Sequence, residues 1–221
     1  MIKMSKFKAI CFDMDGIIVN SEPYHFKATQ LALIKYGVKY SNEQGKLFVG
    51  KTVKDTMTAI CKENKIGNVN QIIEYRESLF FEMLEKQIQL REGILDILKL
   101  IKSKNIKACI VTSGLKNYMT KVIEKFDIGD YFQTFITLED VNNPKPDPSP
   151  YFKAAKALKE PPHLCCAFED STIGIQSAFL AGMYPIAIPG PETKQDNFYL
   201  ANEQYEELYK IPHKFFLKNF N

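Results

Sequence analysis

CFDMDGIIVNSEPYH, residues 11–25, sets two carboxylates one residue apart at the end of an apolar run: Asp13 and Asp15 flank Met14, and Gly16 follows at once. The run ahead of them, 7–12, reads as a strand, so two like charges stand at the mouth of a buried element. Four further segments, 107–111, 132–137, 164–168 and 184–188, also read as strands. All but 132–137 are near-continuous apolar runs, the pattern of parallel strands covered on both faces. Helical patterns follow them at 94–103, 116–126, 151–158 and 172–181, the last with Ser171 as N-cap and Gly182 just past its end. Strand alternating with helix predicts an α/β fold built on a doubly wound parallel, Rossmann-like sheet.

One stretch breaks the rhythm. From residue 18 to about residue 91 only helix-period segments occur, at 24–36, 52–62 and 71–86. An inserted helical cap domain is the simplest account. It divides the chain into a core of residues 1–17 and 90–221 and a cap of residues 18–89.

Composition narrows the function. The 221 residues are 45% hydrophobic, enough for a full core. The net charge is +3, with Lys and Arg dispersed, so no basic stripe offers itself to nucleic acid. No run approaches the roughly eighteen apolar residues of a membrane span. The start, MIKMSKFK, lacks the apolar stretch of a signal peptide. Five cysteines, Cys11, Cys61, Cys109, Cys165 and Cys166, are odd in number and form no CxxC pair; reduced thiols and a cytoplasmic location are expected.

In open parallel sheets the ligand crevice lies at the carboxyl ends of the strands. Here those ends read Asp13-Met14-Asp15-Gly16, Thr112-Ser113-Gly114 and Glu169-Asp170-Ser171, the last two leading into helices whose N-termini suit a phosphate. Lys145 adds a positive charge from the proline-rich stretch NNPKPDPSPY, residues 142–151. Singly, each has an ordinary explanation: an Asx turn, a helix cap, a solvated loop, a surface lysine. Together, at successive strand ends, they mark a site. Asp13, Asp15, Glu169 and Asp170 in one crevice would repel one another unless a cation neutralised them, and a hard divalent ion with oxygen ligands, Mg²⁺, is the one expected.

The stretches FDMDG, VTSG, NPKPDPSPY and FEDSTIG resemble, in order and spacing, the four motifs of the haloacid dehalogenase-like superfamily. The helical insert resembles the cap of its β-phosphoglucomutase-like branch, and the resemblance runs to about Gly190. It implies that Asp13 is the nucleophile that takes the phosphoryl group and also binds Mg²⁺. Asp15 would protonate the leaving oxygen and then activate water, with its backbone carbonyl on the metal. Thr112, Ser113 and Lys145 would hold the phosphoryl group, and Asp170 would ligate Mg²⁺ with Glu169 acting directly or through water. His25, in a Glu-Pro-Tyr-His run that many relatives share, either links the closed cap to Asp15 or is a structural histidine. Arg76 stands near the cap position where relatives present a basic residue to the substrate; a solvated helix face is the other reading.

Three departures stand out: Asn20 where relatives often carry Asp, no Pro before Gly93, and an aromatic tail after Gly190 that packs on the core edge or joins two chains. A monomer or weak homodimer is expected. A phospho-receiver module would be smaller, without the insert or Asp15; a silent binding protein would not keep all four reactive residue types. In the sugar mutases of this branch a cap-loop Arg follows a Gly by three residues, and here Val53 holds that place after Gly50. Lys51 and Lys54 lack the bidentate fork that suits a phosphate dianion. The expectation is therefore a Mg²⁺-dependent phosphatase for a small phosphorylated metabolite, a sugar phosphate or similar, with a β-phosphoglucomutase-type phosphomutase as the alternative.

Overall fold

Ala9–Phe12 (β1), Lys107–Val111 (β2), Thr134–Ile136 (β3), Cys165–Glu169 (β4), Tyr184–Ala187 (β5) and Glu203–Gln204 (β6) form one sheet in the order β3-β2-β1-β4-β5-β6. Every neighbouring pair is parallel. The structure, a computed structural model, describes residues 7–220. The signal-peptide reading of the Lys-rich start falls mostly on residues 1–6, outside the described residues. Between β1 and β2 run the helices α1 (Glu22–Ile34), α2 (Asn42–Lys46), α3 (Val53–Glu63), α4 (Val69–Lys86) and α5 (Ile94–Ser103). After β2 come α6 (Lys116–Phe126), α7 (Ser149–Leu158), α8 (Thr172–Leu180) and α9 (His213–Asn219).

Because strand side chains alternate, the sheet sorts its residues to two faces. Ile10 and Phe12 join Leu98, Met119, Val122 and Phe216 in one buried cluster, which brings α5, α6 and α9 to that face. Ala9 and Cys11 face the other way, with Tyr151, Ala154, Leu158 and Ala178 of α7 and α8. Small residues on that face let two helices seat closely on the strands. Helices on both faces of a parallel sheet make the predicted doubly wound fold.

The helices α1 to α4 form a helical insertion with a core of its own, Ala32, Leu33, Met57, Ile60, Cys61 and Ile72, while Ala28, Phe80 and Leu84 join the main cluster. Its two connections to the sheet run side by side: Asn20 N–H donates to the Gln89 carbonyl and Arg91 N–H to the Ile18 carbonyl, both at 2.9 Å.

Several element bounds differ from the sequence reading, each for a local reason. β3 keeps only three residues of 132–137, because Phe132 turns its ring edge-on to Phe12 at 6.1 Å as the chain leaves a 3₁₀ turn. The helix expected to start at 151 starts at Ser149, with Pro150 in the first turn, where its missing N–H costs nothing. The short α2 is nucleated by a capping box between Ser41 and Gln44. The aromatic tail packs on the core: Phe215, Phe216 and Phe220 are buried in the main cluster, while Tyr199 and Tyr209 stay exposed. No helix among the described residues is long and apolar enough to cross a membrane.

Candidate active site

Every strand end noted above opens into one cleft of about 1090 Å³ between the insertion and the sheet. Asp13 directly follows β1 and is buried. The Lys145 ammonium spends its three donors on Asp13 Oδ1 at 2.5 Å, Glu169 Oε1 at 2.6 Å and the Val111 carbonyl at 2.8 Å. Tyr151, from the first turn of α7, also donates to Glu169 Oε1. Burial raises the Lys145 environment's cost for charge, yet the two carboxylates more than offset it and hold the ammonium charged.

Carboxylate oxygens of Asp13, Glu169 and Asp170 all lie within 4.8 Å of one another. Burial pushes the Asp13 carboxyl well above the usual range, with Glu169 and Asp15 adding to the effect against the pull of Lys145. Burial does the same to Asp170, and there Asp13 adds most. Among the described residues, Lys145 is the cation bonded to this cluster, so negative charge remains uncompensated. Buried hard oxygen donors with excess charge fit a divalent cation.

Asp15 sits in a different environment. Its Oδ1 accepts hydrogen bonds from Ser21 Oγ, from Tyr118 Oη at 2.6 Å and from His25 Nε2 at 3.1 Å. Burial alone would raise its pKa; the His25, Ser21 and Tyr118 donors outweigh burial and hold the carboxyl below its ordinary range. His25 Nδ1 in turn accepts from the Arg76 guanidinium at 2.5 Å, which fixes Nε2 as the protonated nitrogen facing Asp15. Arg76 is buried, lines the cleft, and donates to Glu77 at 2.8 Å; it is no part of a solvated face.

Burial, and then Arg76, hold His25 below its ordinary pKa. The folded chain takes up this proton only at lower pH than the unfolded chain, where a histidine titrates at about 6.5, so the contribution of His25 to stability is lost as pH falls below that value. Arg76→Met should flatten this acid limb in denaturant titrations between pH 7 and 5. An unchanged limb would contradict the assignment.

Thr112 is buried and its hydroxyl accepts from Gly114 N–H at 2.9 Å, bending the loop into α6. Ser113 Oγ donates at 3.3 Å to the carbonyl of Gly50, in the loop of the insertion before α3. Gly50 has φ +80, and a Cβ there would lie 2.9 Å from Ser171 Oγ, so only glycine lets this loop rest on two strand ends. Ser171 caps α8 as predicted, accepting from Gly174 N–H at 3.1 Å. A Cβ on Gly174 would lie 1.9 Å from Glu169 Oε2. Gly174→Ala should therefore dislodge Glu169 from Lys145, costing about 2 kcal/mol and roughly 4–8 °C in melting temperature. A thermal melt superimposable on wild type would refute that packing.

Five contributors were not read from the sequence. Ser21 and Tyr151 lie inside motif stretches already quoted, but nothing marked them among their neighbours. Tyr118 sits one turn after the Thr112 loop, and Thr193 donates to the Asp170 carbonyl at 2.7 Å from beyond β5. Glu22 lines the cleft, and burial, then Asp15, push its carboxyl up to about 8.

The model of the haloacid dehalogenase-like hydrolases matches residues 10–188, from β1 to the end of β5. The chain belongs to that family. Among haloacid dehalogenase-like relatives, a phosphorylated carbohydrates phosphatase of Thermotoga maritima is 28% identical over 181 residues, 80% of this chain and 82% of its own. A β-phosphoglucomutase of Bacillus subtilis is 26% identical over 189 residues, covering 82% and 83%. The crystal structure of a Clostridium difficile β-phosphoglucomutase superposes with a TM-score of 0.83 at 21% identity, over 96% of each chain. The fold is thus that of the β-phosphoglucomutase-like branch with its cap, and the relatives span phosphatases and phosphomutases of phosphorylated sugars.

Proposed function

We propose that this chain is a Mg²⁺-dependent phosphatase acting on a small phosphorylated metabolite, a sugar phosphate or similar, through an aspartyl phosphate on Asp13. We read residues 18–89 as the cap, with the two hydrogen-bonded connections around Asn20 and Gln89 as its hinge. The observation that carries the reading is the convergence of Asp13, Glu169 and Asp170 oxygens within 4.8 Å beside Lys145, at the mouth of the parallel strands.

Asp13 attacks phosphorus, and the leaving alkoxide takes its proton from Asp15, whose carboxyl must first be raised from its low resting pKa by the negative charge of the bound substrate phosphate. Asp15 then draws a proton from water as that water attacks the phosphoenzyme. Lys145, Thr112 and Ser113 hold the phosphoryl oxygens, Lys145 exchanging its Asp13 contact for one of them. Asp13, the Asp15 carbonyl and Asp170, with Glu169 directly or through water, would hold Mg²⁺, whose charge would stabilise that of the transferring group. Glu22 lines the cleft, where burial and the neighbouring carboxylates raise its carboxyl to about 8, and Arg76 supports the site through His25.

The mutase alternative has its own support in the Bacillus relative and in Lys51 and Lys54, which line the cleft beside Val53. Lysines offer no bidentate clamp for a second phosphate, so water should win the phosphoenzyme. The expected result is Mg²⁺-restorable phosphate release that EDTA abolishes. With β-glucose 1-phosphate and a trace of the 1,6-bisphosphate, free phosphate should outpace glucose 6-phosphate; the reverse order would make the protein a mutase.

A further inference from the structure

We propose that Tyr118 is a positioning residue for the acid–base step, holding Asp15 by one carboxylate oxygen so that the other is left to carry the proton. The inference rests on the acid–base reading of Asp15 given above. Three donors, Ser21 Oγ, His25 Nε2 and Tyr118 Oη, all end on Oδ1, and among the described residues Oδ2 makes no hydrogen bond. A carboxylate gripped through one oxygen by donors from three directions cannot swing about its Cβ–Cγ bond, so the identity of its proton-carrying oxygen is set.

The three donors differ in origin. Ser21 and His25 belong to the hinge and to α1, and both are tied to the insertion. Tyr118 stands on the first turn of α6, a helix of the sheet domain, directly after the Thr112 loop. Its contact with Asp15 spans 103 residues of sequence and at 2.6 Å is shorter than the 3.1 Å contact from His25. Of the three it is the donor that stays with the sheet whatever the insertion does.

The ring completes the argument. Tyr118 is buried, and its ring lies edge-on to Phe80 of α4, with centroids 5.1 Å apart, and edge-on to His25 at 5.7 Å. Phe80 also stacks on His25 at 4.0 Å. One aromatic cluster therefore joins the sheet domain, α1 and α4 around the Asp15 carboxylate, and the Tyr118 hydroxyl is its polar tip. A ring serving only as packing would do as well as phenylalanine; the hydroxyl is explained by its bond to Asp15, with Ser21 beside it.

General-acid help matters for a poor leaving group and little for a good one. Tyr118→Phe keeps the ring and drops the hydroxyl. In single-turnover assays with Mg²⁺ it should release benzyl alcohol from benzyl phosphate about tenfold more slowly than wild type, yet lose less than about threefold on 4-nitrophenyl phosphate. KM should stay within about twofold for both, since ground-state binding is untouched. Tyr118→Leu, which removes the ring as well, should repeat the selective loss with a lower melting temperature, and it carries the test if Tyr118→Phe fails to fold. Equal losses on both esters, or none on benzyl phosphate, would overturn the proposal; Asp15→Asn showing the selective loss alone would leave the acid–base reading standing without Tyr118. Wild-type protein that cleaves neither ester would sink the reading itself, and the proposal with it.

Discussion

Asp13→Asn is expected to leave less than about one part in 10⁴ of the wild-type rate while the protein melts no lower than wild type. The rate follows from chemistry: an amide has no anionic oxygen to attack phosphorus, and nothing else at the mouth of β1 occupies its place. The stability follows from the site. Burial and neighbouring carboxylates raise the Asp13 pKa in the folded chain. A carboxyl whose folded pKa is raised stabilises the protein at low pH, and that stabilisation is lost as pH rises through the folded value. Above the ordinary carboxylate range, without metal, the buried Asp13 carboxyl is therefore a liability, and the uncharged Asn removes it while its side-chain oxygen still accepts from Lys145. Calorimetry in EDTA, paired with phosphate release in Mg²⁺, separates the two effects. A variant that keeps a tenth of the activity, or that melts well below wild type, would contradict the assignment.

Lys145→Met is expected to fail on both counts. Methionine fills nearly the same space but strips Asp13 Oδ1, Glu169 Oε1 and the Val111 carbonyl of their common donor. Breaking a buried pair by deleting one partner costs about 3–5 kcal/mol, because uncompensated charge stays behind. Turnover should fall by about 10³ or more, since the cation facing the developing phosphoryl charge is gone. Adding Glu169→Gln should recover part of the stability and none of the activity, as two members of one network are non-additive. Urea midpoints for the two variants read this directly. A midpoint for Lys145→Met equal to wild type would show that the ammonium does not bear on folding.

Legibility in the sequence followed distance along the chain. β1, β2, β4 and β5 were readable because burial on both faces leaves unbroken apolar runs such as Ala9–Phe12 and Cys165–Glu169. Their carboxyl ends carry Asp13, Thr112 and Asp170, so those residues announced themselves by position alone. β6 did not, because Glu203–Gln204 is two residues long and owes its place to pairing with β5. Nor did α9: at seven residues it is too short for a periodic pattern to mark it, and the cluster that Phe215 and Phe216 fill was set by the sheet. At the site, Ser21 was unread although it lies close to Asp15 in sequence; most other unread residues have remote partners. Tyr118 meets Asp15, and Tyr151 meets Glu169, only after the sheet has assembled. Arg76 carried a helical pattern consistent with solvent exposure, and its burial against His25 depends on how α4 packs on α1.

The central claim is that Asp13 carries the phosphoryl group during turnover. Borohydride reduces an acyl phosphate to the alcohol, converting a phosphorylated aspartate to homoserine. The Asp15→Asn variant, which keeps the nucleophile but lacks the base that frees it, should be mixed with 4-nitrophenyl phosphate, whose leaving group needs no proton from Asp15, and Mg²⁺, then quenched with borodeuteride, digested, and mapped by mass spectrometry. The account predicts deuterated homoserine at position 13 and at no other carboxylate, absent when ester is omitted. Label at Asp170 or Glu169, or phosphate release with no label on any residue, would contradict it.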